Sequence, residues 1–217
     1  MILIDSLNSI RRAETEASIK QKVLYTLAVF VFGILLGMFS KWLDNLSLNS
    51  SVWWMKIIEQ IDLGNFFSGM SVWLFIALTI SIYSKSPFRA AVNVFFFFVG
   101  MCGSYHLYTI IFSKFNPQSY MMIWYMVTLA SPALAFICWF AKSENPVAIM
   151  LDSVILFVLC ASCFSIGQWY IGLKSTLELL VFIGSCIVIY KKPQVFFPSI
   201  IIGFILAFLI QVPYLNG

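Results

Sequence analysis

Seven predominantly apolar runs follow one another along this chain, at approximately 23–42, 66–83, 88–112, 119–141, 147–165, 173–190 and 195–212. Each is close to the roughly 20 residues a helix needs to cross hydrocarbon, where every backbone amide has to be satisfied internally. The pattern predicts an all-α fold: a polytopic transmembrane helix bundle of seven spans, built from three helical hairpins after a signal-anchor helix. The seventh run is the weakest, bracketed by Pro198 and by Gln211-Val212-Pro213. A six-span alternative therefore stands beside the seven. Composition excludes a water-soluble domain, because 61% of the 217 residues are hydrophobic and only 10% charged, against about 25% charged in a typical soluble chain.

The ends of the runs carry their own pattern. Run two ends Tyr83-Ser-Lys85-Ser-Pro87, run four ends Trp139-Phe-Ala-Lys142-Ser-Glu-Asn-Pro146, and run six ends Tyr190-Lys191-Lys192-Pro193. An aromatic ring suits the headgroup region, a lysine suits the cytoplasmic phosphates, and a proline stops one helix while being tolerated in the first turn of the next. With the N-terminus inside, the cytoplasmic side receives Arg11, Arg12, Lys20, Lys22, Lys85, Arg89, Lys142, Lys191 and Lys192, and the outer side Lys41, Lys56, Lys114 and Lys174. That bias has the positive-inside sign and puts the C-terminus outside. The net charge of +4 thus belongs to loops, and no basic face predicts a nucleic-acid partner.

Residues 1–22 read as a cytoplasmic amphipathic and basic leader, with Ile4, Leu7, Ile10 and Arg11 at helical spacing, and 23–217 as a single transmembrane domain. Between the first two runs, residues 52–62 place Trp53, Trp54, Ile57, Ile58 and Ile61 on one helical face, which predicts an outer interfacial helix. It serves as an aromatic anchor or as a lid over an outward-facing cavity. Asn45-Leu-Ser47 and Asn49-Ser-Ser51 match the glycosylation pattern, which matters only in a eukaryotic secretory pathway.

Polar groups inside hydrocarbon are costly and are functional candidates by default. Arg89, Asn93, Gly100 and Ser104 fall on one stripe of run three, which should face protein. Gly33 and Gly37 make a second close-packing face in run one. Pro132 in run four removes one amide and frees the carbonyl of Thr128, and an interrupted helix near the midplane is a pointer to a transporter site. Asp152 and Glu178 fall one turn into runs five and six from opposite sides, so they should not touch. The five cysteines at 102, 138, 160, 163 and 186 lie inside apolar runs and read as small buried hydrophobes, Cys160-Ala-Ser-Cys163 included. His106 is the chain's only histidine and reads as an interfacial residue.

These residues predict Asn93, Ser104, Thr128, Pro132 and Glu178 as candidate ligand contacts and Gly33, Gly37 and Gly100 as packing positions. Lys85, Arg89, Lys142, Lys191, Lys192, Trp53 and Trp54 are the expected interface anchors. No metal-ligand cluster, nucleophile–base pair or phosphate loop is written in the sequence, so neither a metal, a cofactor nor an enzymatic activity is expected.

"WLFIALTISIYSKSPFRAAVNVFFFFVGM" (73–101) and "PQSYMMIWYMVTLASPALAFICWFAK" (117–142) resemble an uncharacterised family of bacterial multi-pass membrane proteins of similar length. The resemblance covers the middle third of the chain and implies a bacterial plasma-membrane location without an activity. In size the chain is also similar to the substrate-capturing S subunits of energy-coupling-factor vitamin transporters, though seven spans with an outer terminus depart from their six. The expected role is a small-molecule transport or substrate-binding component. The alternative is an accessory or assembly subunit that binds a partner membrane protein.

Overall fold

The computed structural model describes residues 10–13, 18–46, 52–114, 116–167 and 170–210. Their elements run α1 (Ile19–Asp44), α2 (Trp53–Gln60), α3 (Leu63–Ser68), α4 (Ser71–Ile82), α5 (Pro87–Ser113), α6 (Gln118–Trp139) with a 3-10 extension to Lys142, α7 (Pro146–Cys163), strands β1 (Phe164–Ile166) and β2 (Ile171–Leu173), α8 (Thr176–Ile189) and α9 (Pro193–Ile210). Local chemistry sets the starts. Ser18 and Gln21 form a reciprocal capping box at α1. The prolines of all three aromatic-lysine-proline connections become the first residues of α5, α7 and α9, where a missing amide costs nothing.

Five of these helices are long and apolar enough to cross a bilayer: α1, α5, α6 with its extension, α7 and α9. The chain is a helical membrane protein. The second and sixth runs are shorter than the sequence pattern implies. Run two breaks at Gly69-Met70 into α3 and a 12-residue α4, and α8 has 14 residues. At 1.5 Å per residue these reach only about 18 and 21 Å, against a hydrocarbon core of about 30 Å.

The fold is all-α apart from one short pair of strands among the described residues. The end of run five and the start of run six leave the helix and pair as an antiparallel hairpin, Phe164 opposite Leu173 and Ile166 opposite Ile171. Backbone that has left a helix still has to be hydrogen-bonded, and pairing across the hairpin does this while Phe164 remains packed on Phe182 and Phe204.

α4 sits centrally, in contact with α5, α6, α7 and α8. Around it the core divides in two: one cluster gathers on Trp73, Phe97, Trp124 and Trp139, the other on Leu156, Leu159, Phe182 and Ile189. At the periphery α1 packs along α5 and α9 along α7. The first of these contacts unites both glycine faces read from the sequence, since Gly33 and Gly37 lie against the backbone of Phe97 and Met101, and Gly100 against that of Phe30. The second uses a stripe that sequence reading passed over, Ser199, Gly203 and Ala207, all buried at four-residue spacing. A Cβ on Gly203 would lie 2.9 Å from Leu156 Cβ, so small-xxx-small packing also holds α9.

Candidate functional site

The cations expected to reach lipid phosphates are mostly turned inward. Arg11 donates to Trp139 O at 2.6 Å and Ile82 O at 3.1 Å, and lies 4.1 Å over the Trp139 ring. Lys142 Nζ donates to Val188 O at 2.6 Å and Tyr190 O at 2.9 Å. Lys191 donates to Ala141 O and to Asp152 Oδ2. Three side chains thus cap the C-terminal ends of α4, α6 and α8, where orphan carbonyls and the negative ends of the helix dipoles collect. Arg89 is likewise occupied, donating to Lys22 O, Thr26 Oγ1 and Asn93 Oδ1. Lys85 stays exposed, and Lys192 pairs with Glu144 at the surface.

Asp152 is turned into the bundle. It is 0% exposed and pairs with Lys191 at 2.8 Å, whose side chain is 6% exposed. Burial pushes the Lys191 ammonium below the ordinary lysine range, against the pull of Asp152. Asp152 Oδ1 has no hydrogen-bond partner among the described residues.

The five candidate ligand contacts do not converge. Asn93 accepts from Thr26 at 2.8 Å and donates to Ser84 Oγ at 3.1 Å, so its amide is consumed between α1, α4 and α5. Ser104 donates to Ile34 O at 3.0 Å, joining α5 to α1. Glu178 lies at the opposite end of the bundle from Asp152, in the first turn of α8 after the Ser175 cap. It is close to Ser71 at the start of α4 and within 3.7 Å of the position a Cβ would take on Gly69. A carboxylate beside two helix N-termini is electrostatically favoured there.

Pro132 does free the carbonyl of Thr128, but that carbonyl is not offered to a ligand. Ser131 Oγ donates to it at 2.9 Å, and Thr128 Oγ1 donates to Trp124 O at 2.8 Å. Ser131→Ala should therefore cost about 1–3 kcal/mol, the penalty for a buried acceptor left unpaired. Adding Pro132→Ala should restore most of it, since the new amide at 132 donates to the same carbonyl. Thermal unfolding of the single and double variants in one detergent measures both steps.

A cavity lies elsewhere, unread from the sequence. About 200 Å³ is enclosed by α4, α5, α6 and α7, with Leu74, Leu78, Phe98, Val127, Ile155 and Val158 among its walls. α6 and α7 share a three-residue connection, Ser143 to Asn145, yet they diverge from it and scarcely touch beyond. Leu134 and Val154, on the two sides of this gap, line the cavity and remain 57% and 55% exposed on the bundle surface. Its hydroxyls are already committed, Ser81 to Ala135 O at 2.6 Å and Ser131 to Thr128 O. The cavity offers shape and apolar surface. The helix of residues 53–60 does not line it, and Trp54 stacks on Trp42 instead.

At the end of the bundle away from Lys142 and Lys191, Tyr105 donates to Asp44 at 2.6 Å beside Lys41, and His106 is held by Tyr125 and Asn116. Ser47, Asn49 and Ser51 of the sequons, leader residues Ile4 and Leu7, and the end of run seven at 211–212 lie outside the described residues. Among those described, no three His, Cys, Asp or Glu side chains group as metal ligands. The gap between α6 and α7 had no sequence signal, because divergence of two apolar helices leaves no mark in their composition. Compared with protein-family models, with curated proteins and with solved structures, the chain matches none.

Proposed function

We propose that this protein is a small-molecule binding or transport component of a membrane, and that its ligand is a lipophilic molecule entering the cavity sideways through the gap between α6 and α7. One observation carries the reading: a cavity of about 200 Å³ whose wall includes the surface-exposed Leu134 and Val154. An apolar cavity of roughly 150 Å³ stays dry and takes benzene even in a water-soluble protein. A larger one, open toward hydrocarbon, has no reason to stay empty or to admit a polar metabolite. The reading is of a binding protein and assigns no catalytic step.

In this reading α4 and α8 complete seven crossings, with α3 and the strand hairpin filling the outer leaflet around their short N-terminal ends. The end bearing Arg11, Arg89, Lys142 and Lys191 faces the cytoplasm of a bacterial cell, as the positive-inside bias favours.

The test uses the whole protein in lipid nanodiscs and a brominated alkane as quencher of tryptophan fluorescence. Trp73, Trp124 and Trp139 stand in the core beside the cavity walls. Saturable quenching that Ala77→Phe reduces at least tenfold, with the circular dichroism unchanged, is expected. Quenching linear in alkane and indifferent to Ala77→Phe overturns the proposal.

A further inference from the structure

We infer that the occupant of this cavity is one acyl chain of a phospholipid drawn from the leaflet at the basic end of the bundle; the inference rests on the lipophile-binding reading and names its ligand class. Three observations carry it.

The first is shape. On α6 the lining runs from Val127 to Cys138, or about 16 Å of axial length at 1.5 Å per residue. The void is therefore elongated along the helices, in the direction lipid chains run. The second is depth. Ser81 and Cys138, at one limit, stand next to the last residues of α4 and α6. Val127, at the other, is twelve residues from Trp139, or about 18 Å. The cavity thus occupies roughly the half of a 30 Å hydrocarbon core that adjoins the basic end. A chain anchored at that surface covers most of its length before the midplane.

The third is charge. Arg12, Lys20 and Lys85 are exposed at that end, and of the described acids there Asp152 is buried and Glu144 is paired with Lys192. An anionic headgroup above the gap meets a surface of the opposite sign. The wall supplies no free hydroxyl, since both serines are spent on helix carbonyls. The part of the ligand inside must then be plain hydrocarbon, with the polar group left at the surface.

The experiment reconstitutes the full chain in vesicles containing a trace of phosphatidylglycerol with a diazirine midway along one acyl chain. After photolysis, peptides carrying the adduct are mapped. A parallel sample receives a diazirine-bearing alkane without a headgroup. Adducts concentrated on Leu134, Val154 and Val158, reduced at least fivefold by Ala77→Phe or by the mouth substitution Leu134→Trp, are the expected result. Two variants guard against a single failure to fold. Alkane labelling of the cavity without phospholipid labelling overturns this inference and leaves the lipophile-binding reading standing. Absence of both overturns both. Phospholipid adducts spread evenly around α1 and α9 as well mean only that lipid surrounds the bundle, and also overturn it.

Discussion

Lys191→Met should be among the most damaging single substitutions in this protein, lowering its unfolding free energy by about 3–5 kcal/mol. The ammonium pairs with Asp152 Oδ2 at 2.8 Å, and both side chains are almost wholly removed from solvent. Removing the cation strands a carboxylate beside hydrocarbon, and Asp152 Oδ1 already has no described partner to fall back on. The substitution also uncovers the Ala141 carbonyl at the end of the 3-10 turn. The companion is Asp152→Leu with Lys191→Met. Replacing a buried pair by apolar residues is often neutral or better, so the double variant should recover most of the loss, short of the Ala141 contact. Equilibrium unfolding of the two single variants and the double, in one detergent, gives the coupling. A Lys191→Met protein as stable as the parent would mean that the pair does not hold α7 to the connection between α8 and α9.

The sequence made the membrane class and most helix positions legible because the period and length of an apolar run are properties of the chain itself. The prolines at 87, 146 and 193 open helices for a local reason, a fixed φ and a missing donor. The direction of the lysines was not legible. Lys142 could be placed at one end of the bundle with Lys191 from the charge bias, but whether it points to phosphate or to Val188 O depends on how near α8 lies to the end of α6. Asn93 was readable as polar glue facing protein, while its partners Thr26 and Ser84 are ordinary hydroxyl residues that only packing identifies. The cavity is a void, and the residues around it, such as Leu78 and Ile155, are what any membrane helix contains. Sequence candidates were polar because polarity is conspicuous in hydrocarbon, and most of those polar groups prove to be engaged with the protein's own backbone.

Gly100→Ala and Gly103→Ala should move stability in opposite directions although they add the same methyl group to the same helix. At Gly100 a Cβ would stand 2.5 Å from Phe30 O and 3.2 Å from Ile34 N, while at Gly103 it meets nothing within 4 Å. Backbone of a neighbouring helix cannot rotate away as a side chain can, so α1 has to shift outward along its whole contact with α5. That separation strains the Ser104 bond to Ile34 O at 3.0 Å and the Thr26 bond to Asn93 at 2.8 Å. Overpacking of this kind costs about 1–3 kcal/mol and occasionally more; the linked hydrogen bonds place Gly100→Ala at the upper end, and Gly33→Leu, aimed at Phe97 O and Met101 N, beyond it. Gly103→Ala should instead be neutral or gain up to about 1 kcal/mol from helix propensity. Unfolding midpoints of the three variants, with a disulfide trap between cysteines introduced on α1 and α5 to report their separation, check the ordering. Equal effects at 100 and 103 would mean that α1 does not approach α5 closely enough to need glycine.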